Sequence, residues 1–327
     1  MKTLLALLLL IPSLSWGLTF SNGKQVGGNA LTPSNTFQIE LTKNPKEAFV
    51  YTNEISRAGE KSQKFVLKHN ECGAEKGYDD CVNDAQRTER VPKDTDNYKG
   101  DVVYYGFSIF LPKDFPSIHP AAVTLGQVKN DGLSQPIWIT RIRKDNFNIV
   151  THWNDNECSL IKVDDMKGVW TDFIIKSDFS TKDKEGDVKT IVRKPGTNTY
   201  VTEYKNSYLE VWVNNESVCK MTSQILTDEA LKYTKKERIN FRYGIYQIAL
   251  SEWFNLNKTK SPKNVKAYDE AKFKGGAEQG TMKSVTGSPF SYDWGVELPT
   301  QIVYFDEIRV GSSKDEVDVS LNDEPVD

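Results

Sequence analysis

The chain is poor in the residues that usually build metal centres. Only three of its 327 residues are histidines and four are cysteines, and no CxxC pair occurs. Zinc sites need clustered Cys and His ligands, so the sequence favours neither a zinc protein nor metal catalysis through imidazole. We expect no cofactor. The acidic loop at 71–84 suits Ca²⁺ by composition, but its spacing matches no defined calcium loop, so no calcium site is assigned.

A basic excess and long apolar runs are also missing. Lys plus Arg number 42 against 45 for Asp plus Glu, a formal net charge of −3, which does not favour a general nucleic-acid binder. No apolar run of 18 residues follows residue 20, so we expect no integral membrane segment. Aromatic residues make up 11% of the chain, which excludes a mostly disordered protein.

The two ends of the chain differ from its body. Residues 1–17 combine a lysine, an apolar run and small residues at Ser15 and Gly17, which predicts a cleaved signal peptide and a secreted or periplasmic protein. Residues 312–327 are rich in Asp and Glu, which predicts a flexible acidic tail. We therefore expect one domain over residues 18–311.

The four cysteines form an even set, which in an exported chain predicts two disulfides with three possible connectivities. Cys72 and Cys81 share one polar loop, whose Gly73 and Gly77 allow a tight return. This favours the pairs Cys72–Cys81 and Cys158–Cys219.

Strand patterns dominate the rest of the chain. Buried or alternating runs occupy residues 102–111, 137–143, 208–213 and 302–311. Helical signal is thin, with one short capped helix predicted after Thr227. Strands that recur with long loops between them predict an all-β sandwich or jelly roll.

Three strand segments place polar side chains on one face, because residues i and i+2 of a strand point the same way. Together they supply cations, an amide and a phenol, which suit an anionic sugar chain. Taken singly, each segment is better explained by an exposed ion pair, a solvated strand face or a core or rim aromatic, and only their combination favours a binding site. The residues that share a face are Arg87 with Glu89, Gln127 with Lys129, and Arg242 with Gly244 and Tyr246. We expect the glycine to leave a floor for a bulky ligand.

In this order the motifs resemble those of polysaccharide lyases with a concanavalin-like jelly roll, such as heparin lyase I, glucuronan lyase and alginate lyase. The segments 105–116, 170–173, 208–214 and 303–311 extend the resemblance over residues 50–311. It implies a concanavalin-like β-jelly-roll sandwich of two antiparallel sheets. It also implies β-elimination on an anionic, uronic-acid-containing polysaccharide.

The resemblance assigns roles residue by residue. Arg87 and Gln127 would neutralise the substrate carboxylate, where charge develops in the transition state. Tyr246 would be the acid, or both acid and base. Lys129 stands where the family has a histidine, so it would be either the base or a carboxylate binder, and we favour the second role. Glu89 would orient Arg87.

Further residues are expected to bind substrate on the same face. His152 is a candidate replacement base, although the pattern favours an ordinary hydrogen-bonding histidine of a strand. Val91 stands where many alginate-type enzymes have a second arginine, which weakens alginate as the substrate. The predicted substrate-binding residues are Glu89, Arg90, Arg242, Arg141, Arg143 and His152.

Two other functions use the same fold. A glycoside hydrolase needs two carboxylates facing across a bond, and the adjacent Asp306 and Glu307 are expected to face opposite ways in a strand. A non-catalytic module that binds acidic glycans would keep the cations and lack the base. We expect a monomer whose partner is the polysaccharide.

Overall fold

The structure is a computed structural model of the chain. It describes residues 18–21, 24–26, 37–40, 42–75, 78–92, 97–98, 100–130, 135–153, 156–181, 189–193, 200–204, 207–227, 238–260 and 288–321. The predicted signal peptide and the predicted helix after Thr227 lie outside these residues. In the part of the chain that is described, no helix is long and apolar enough to cross a membrane.

Two large antiparallel sheets face each other. The first has nine strands, and its central strand β21 (Gln301–Gly311) adjoins both β1 (Leu18–Ser21) and β5 (Ser62–Leu67) along different halves of its length. In spatial order its strands are β19 (Glu216–Met221), β18 (Leu209–Val213), β15 (Trp170–Asp178), β10 (Val102–Phe110), β21 (Gln301–Gly311), β1 (Leu18–Ser21) and β2 (Lys24–Val26), with β5 (Ser62–Leu67) and then β4 (Phe49–Thr52) beside β21.

The second sheet has eight strands and carries most of the polar motifs. In spatial order its strands are β14 (Asn156–Lys162), β13 (Asn146–Thr151), β12 (Trp138–Arg143), β11 (Ala122–Asn130), β20 (Arg238–Ile248), β8 (Ala85–Pro92) and β3 (Phe37–Glu40), with β9 (Asn97–Tyr98) beside β20.

Smaller elements complete the described part of the chain. Two hairpins are formed by β6 (Ala74–Glu75) with β7 (Tyr78–Asp79) and by β16 (Lys189–Arg193) with β17 (Tyr200–Tyr204). The helices are α1 (Pro45–Ala48), α2 (Val163–Met166), α3 (Leu250–Asn257) and α4 (Lys314–Val317), with a 3-10 turn at Pro289–Ser291.

Alternation along the strands builds the core between the sheets. On β20, Phe241, Tyr243 and Ile245 are buried against the nine-stranded sheet, while Arg242 and Tyr246 on the other face are only partly buried. The ring centroid of Phe241 lies 5.2 Å from that of Tyr105 and 5.5 Å from that of Phe107, both on β10. Each buried ring contributes about 1.5–3 kcal/mol, so this period-2 pattern fixes which face of β20 is left for other chemistry.

The predicted fold is confirmed. The four predicted strand runs correspond to β10, β12, β18 with its following turn, and β21. Both favoured disulfides are present, with Cα–Cα distances of 5.2 Å for Cys72–Cys81 and 6.1 Å for Cys158–Cys219. The second disulfide joins an edge strand of one sheet, β14, to an edge strand of the other, β19.

The segment that starts at Ser312 differs from the predicted flexible tail as far as residue 321. Ser313 caps α4 by accepting a hydrogen bond from the backbone of Glu316, and Val317 is buried against β10. Gly106 makes this close packing possible, since an added Cβ there would lie 2.3 Å from the carbonyl oxygen of Val317. The acidic composition gave no indication that this segment forms a capped helical turn held by one buried apolar residue, Val317. Residues 322–327 lie outside the described residues.

The expected opposite orientation of Asp306 and Glu307 is wrong. The register of β21 against β10 shifts at this point, and Glu307 has a φ of 52°. A bulge adds one residue to the strand and breaks its alternation. Glu307 pairs with Arg309, and Asp306 accepts a hydrogen bond from the backbone of Arg57. Both carboxylates are buried in these contacts, so they do not form the open pair that a hydrolase requires.

Candidate active site

Three neighbouring strands bring the predicted motifs together on the outer face of the eight-stranded sheet. β20 lies between β8 and β11. On one side of β20, Tyr246 is in register with Arg87, and Gly244 with Glu89. On the other side, Arg242 is in register with Gln127. Residues in register on neighbouring strands share a face, so three segments distant in sequence form one polar surface.

Arg87 is held by two carboxylates. Its Nε donates to Oδ2 of Asp80 at 2.6 Å and its Nη2 donates to Oδ1 of Asp80 at 2.8 Å. Its Nη1 donates to Oε2 of Glu89 at 3.1 Å. A two-point guanidinium–carboxylate contact fixes orientation as well as position. The plane of the Arg87 guanidinium is therefore set by the protein before any ligand arrives.

Glu89 links the arginine to the amide predicted to act with it. Its Oε1 accepts a hydrogen bond from Nε2 of Gln127 at 2.6 Å, although Glu89 is on β8 and Gln127 on β11. The strand between them contributes Gly244 opposite Glu89, so no side chain stands in the path. Arg87 and Glu89 of β8 and Gln127 of β11 thus form one hydrogen-bonded unit that passes over β20.

Gly244 has a second role that the sequence did not suggest. Its φ is 142°, and an added Cβ would lie 2.2 Å from the carbonyl oxygen of Thr88 and 3.1 Å from the ring of Phe65. The glycine therefore allows β20 to approach β8 closely. The need for this close backbone approach explains the glycine at position 244 better than the expected floor for a ligand does.

Tyr246 covers the arginine. The guanidinium carbon of Arg87 lies 3.9 Å from the centroid of the Tyr246 ring. This distance is within the range of a cation–π contact. Tyr246 is only partly buried, in contrast to Arg87, which is buried beside it.

The electrostatics of the site keep Arg87 charged. Burial lowers the pKa of Arg87, but Glu89, Tyr246 and Asp80 outweigh burial and hold this pKa well above its ordinary value. Burial raises the pKa of Asp80, and its contact with Arg87 offsets only part of that effect. Removing one partner of such a buried pair costs about 3–5 kcal/mol, so Asp80 and Arg87 depend on each other.

Lys129 and Arg242 lie toward the other end of the same face. Lys129 is in register with Asn240, and Nε of Arg242 donates to Oδ1 of Asn240 at 2.9 Å. Thr124, the neighbour of Tyr246 on β11, is five residues from Lys129, or about 16 Å along the strand. Lys129 and Tyr246 therefore flank Gln127 from opposite ends.

A row of polar residues continues from Tyr246 across the sheet. Tyr246 is in register with Thr124, Thr124 with Arg141, and Arg141 with Asn148. With strands about 4.8 Å apart, Arg87 and Asn148 lie roughly 19 Å from each other. Both Arg141 and Asn148 donate to the Glu157 carboxylate. Burial lowers the pKa of Arg141, and Glu157 opposes this shift.

The placement predicted for Arg90 is wrong. Arg90 is in register with Tyr243, which faces the core, so its side chain points between the sheets. Its Nη1 donates to the hydroxyl of Tyr51 at 2.9 Å and to Oε1 of Gln63 at 3.1 Å, and the guanidinium lies over the Phe49 ring. Successive side chains of a strand point to opposite faces, so Arg90, which follows the outward-facing Glu89, points inward.

Two other predicted residues are peripheral to the Arg87–Tyr246 pair. Arg143 is exposed at the last position of β12. His152 lies in the turn after β13, and its backbone N–H donates to the carbonyl of Ile137. Thr151 is in register with Trp138, which is in register with Val128, so His152 belongs to the end of the sheet where Lys129 lies.

Sequence reasoning missed Asp80, Asn240 and Asn148. One feature of the sequence could have identified Asp80 as a site residue, namely that it directly precedes Cys81 in the short disulfide loop. The alternation of β20 could have identified Asn240, two residues before Arg242. Among the residues that the structure describes, no group of three or more His, Cys, Asp or Glu side chains could hold a metal ion.

A comparison with known protein families finds a match over most of the chain. The family model described as Polysaccharide lyase matches residues 29–309. No curated protein sequence matches the chain.

Several solved structures are similar to the chain at low sequence identity. An endo-β-1,4-glucuronan lyase from the fungus Trichoderma reesei has 13% identity and a TM-score of 0.48, covering 86% of this chain and 93% of that one. The alginate lyase AlgAT5 of Polysaccharide Lyase family 7 has 11% identity and a TM-score of 0.40, covering 91% and 94%. A GH131 β-glucanase catalytic domain from Podospora anserina has 9% identity and a TM-score of 0.46, covering 87% and 88%.

Proposed function

Because the family model spans well over half of the chain, this protein belongs to the polysaccharide lyase family, and we propose that it cleaves a uronic-acid-containing polysaccharide by β-elimination at Arg87, Gln127 and Tyr246. The resemblance drawn from the motifs is thereby confirmed at the level of the family. The substrate and the roles of individual residues are our proposal.

One observation carries the proposal. Glu89 bonds both Arg87 and Gln127, and the Tyr246 ring lies over the same guanidinium. A cation, an amide and a phenol are thus gathered at one point on the outer face of the eight-stranded sheet. Donors arranged in advance stabilise charge that develops on a substrate carboxylate, and they lose little by reorganising during the reaction.

The reaction assigns a step to each group. Arg87 and Gln127 bind the uronate carboxylate and stabilise the enediolate that forms when the C5–H bond breaks. Tyr246, as phenolate, takes the C5 proton. The C4–O bond then breaks as the C4–C5 double bond forms, and Tyr246 returns the proton to the departing glycosidic oxygen. A single group can serve both steps when the proton and the leaving group lie on the same side of the sugar ring.

The remaining cations bind the rest of the polymer. Lys129, which is in register with Asn240, and Arg242, which donates to Asn240, take the carboxylate of a uronate next to the cleaved bond. Arg141 and Arg143 extend the contact along β12. In this assignment Lys129 is a carboxylate binder and His152 is an outlying contact. Arg90 has no part because it lies in the interior.

We also propose the cellular context. The first 17 residues are a signal peptide, the lyase domain follows as one unit, and the protein acts as a monomer outside the cytoplasm. The two disulfides fit an oxidising compartment.

A substrate panel tests the function. The purified protein is mixed with polyglucuronate, alginate, a heparin-type polymer and a neutral glucan, and the ultraviolet absorbance of the C4–C5 double bond is followed. We expect absorbance with at least one polyuronate and none with the neutral glucan. New reducing ends without this absorbance would indicate a hydrolase, and binding without cleavage would indicate a binding module. Either result would contradict the proposal.

A further inference from the structure

Asp80 is the buried partner of Arg87 that no motif pointed to. Its side chain has no exposed surface, and both of its oxygens accept hydrogen bonds from the Arg87 guanidinium. The face of that guanidinium lies against Tyr246. The edge contact with Asp80 thus determines the plane on which the Tyr246 ring rests.

The backbone around Asp80 is fixed in several ways. The N–H of Asp80 donates to the carbonyl of Gly73 at 3.1 Å, and the carbonyl of Asp80 accepts from the N–H of Ala85, the first residue of β8, at 3.0 Å. The next residue, Cys81, is bonded to Cys72. Asp80 is therefore attached covalently through its neighbour to the loop before it, and by hydrogen bonds to the strand after it.

We propose that Asp80 is a positioning residue for the elimination, and that the Cys72–Cys81 disulfide is the anchor that holds it against Arg87. This inference rests on the proposed function of the Arg87–Tyr246 site. Asp80 acts through Arg87 and has no contact with substrate. Its carboxylate aligns the guanidinium that binds the uronate carboxylate and supports the Tyr246 ring.

The first test replaces the carboxylate without changing its size. Asp80→Asn should lower kcat by about 100-fold, the scale of a displacement of about 1 Å in a catalytic group, with a smaller change in KM. Asp84→Asn is the matched control. Asp84 is buried in the same turn, but its carboxylate bonds the backbone and hydroxyl of Ser251 instead of the site. We expect its kcat to stay near that of the wild type.

A double-mutant cycle separates positioning from a general loss of structure. If Asp80 acts through the guanidinium, Asp80→Asn should lower kcat much less in the Arg87→Lys variant than in the wild type. The reason is that the effects of substitutions at contacting residues that work as a unit are not additive. Equal effects of Asp80→Asn in both backgrounds would overturn the inference. So would a kcat for Asp80→Asn equal to that of Asp84→Asn.

The disulfides supply a second, independent pair of variants. Cys72→Ser with Cys81→Ser should lower kcat, while Cys158→Ser with Cys219→Ser should leave kcat near the wild-type value. The second disulfide begins on β14, five strands from β8, or about 24 Å away. Equal kcat values for the two double variants would contradict the proposal that the Cys72–Cys81 disulfide holds Asp80 against Arg87. A wild-type protein inactive on every polyuronate would refute the proposed function instead, so the two failures are distinguishable.

Discussion

The guanidinium of Arg87 lies face-on beneath the ring of Tyr246, with 3.9 Å between the guanidinium carbon and the ring centroid. Contacts of this kind contribute about 0.5–2 kcal/mol. The edges of the same guanidinium bond Asp80 and Glu89. Arg87 therefore uses its face to support the proposed acid/base and its edges to fix its own orientation.

Removal of the Tyr246 hydroxyl should abolish most of the activity without disturbing the fold. Tyr246→Phe keeps the ring over Arg87 and loses only the group that transfers the proton, so kcat should fall by about 10²–10⁴-fold. The measurement is the rate of unsaturated product formation. Tyr243→Phe is the matched control, because it removes a hydroxyl from the core face of the same strand, where it bonds Gln63. It should cost about 1 kcal/mol of stability and leave kcat unchanged. Near-normal product formation by Tyr246→Phe would show that Tyr246 is wrongly assigned.

Lys129 should affect binding more than chemistry. Lys129→Ala removes one charge contact to the polymer, which should raise KM by about tenfold, equivalent to about 1.4 kcal/mol. The pH–rate profile should keep its main ionisation, because Tyr246 carries the proton in our mechanism. Loss of that ionisation, with recovery on addition of a primary amine, would identify Lys129 as the base.

Two arginines should respond in opposite ways to truncation. Arg90→Ala empties a buried position that packs on Phe49 and bonds Tyr51, so it should cost about 2–4 kcal/mol of stability. Its KM should be close to that of the wild type at temperatures where the variant is folded. Arg242→Ala should raise KM and change stability by only about 0.5 kcal/mol. Denaturant unfolding and steady-state kinetics on both variants check this, and a raised KM for Arg90→Ala would contradict its interior placement.

His69 should make stability depend on pH. Burial lowers the pKa of His69, an effect that Glu297 opposes, and Nδ1 accepts a hydrogen bond from the backbone of Leu298 at 3.2 Å. The folded protein thus favours the neutral ring. The contribution of His69 to the free energy of unfolding is fully present above the pKa of about 6.5 that the histidine has in the unfolded chain. This contribution is lost as the pH falls through the lower pKa that His69 has in the folded protein.

The check is the difference in unfolding free energy between the wild type and His69→Gln. This difference should decrease as the pH is lowered from 7 to 5. Parallel pH curves for the two proteins would mean that His69 is not responsible.

Much of the fold and part of the site could be predicted because strand alternation is a local property. The i and i+2 pattern correctly grouped Arg87 with Glu89 and Gln127 with Lys129, and the loop glycines led to the correct disulfides. The bulge at Glu307 shows where this reasoning fails. One extra residue in a strand reverses every orientation beyond it, and nothing in the run 302–311 marks the insertion.

The sequence by itself determined which polar residues share a face of each strand, because this depends on a period of two. Its motifs resemble those of the polysaccharide lyase family, and that resemblance implied the two-sheet architecture. Only the tertiary structure decided which strands are neighbours, and thus that Glu89 reaches Gln127 over Gly244. It also decided that Arg90 is interior while Asp80, which no motif includes, holds Arg87. Contacts between side chains distant in sequence depend on how sheets and loops pack, and packing is a property of the whole chain.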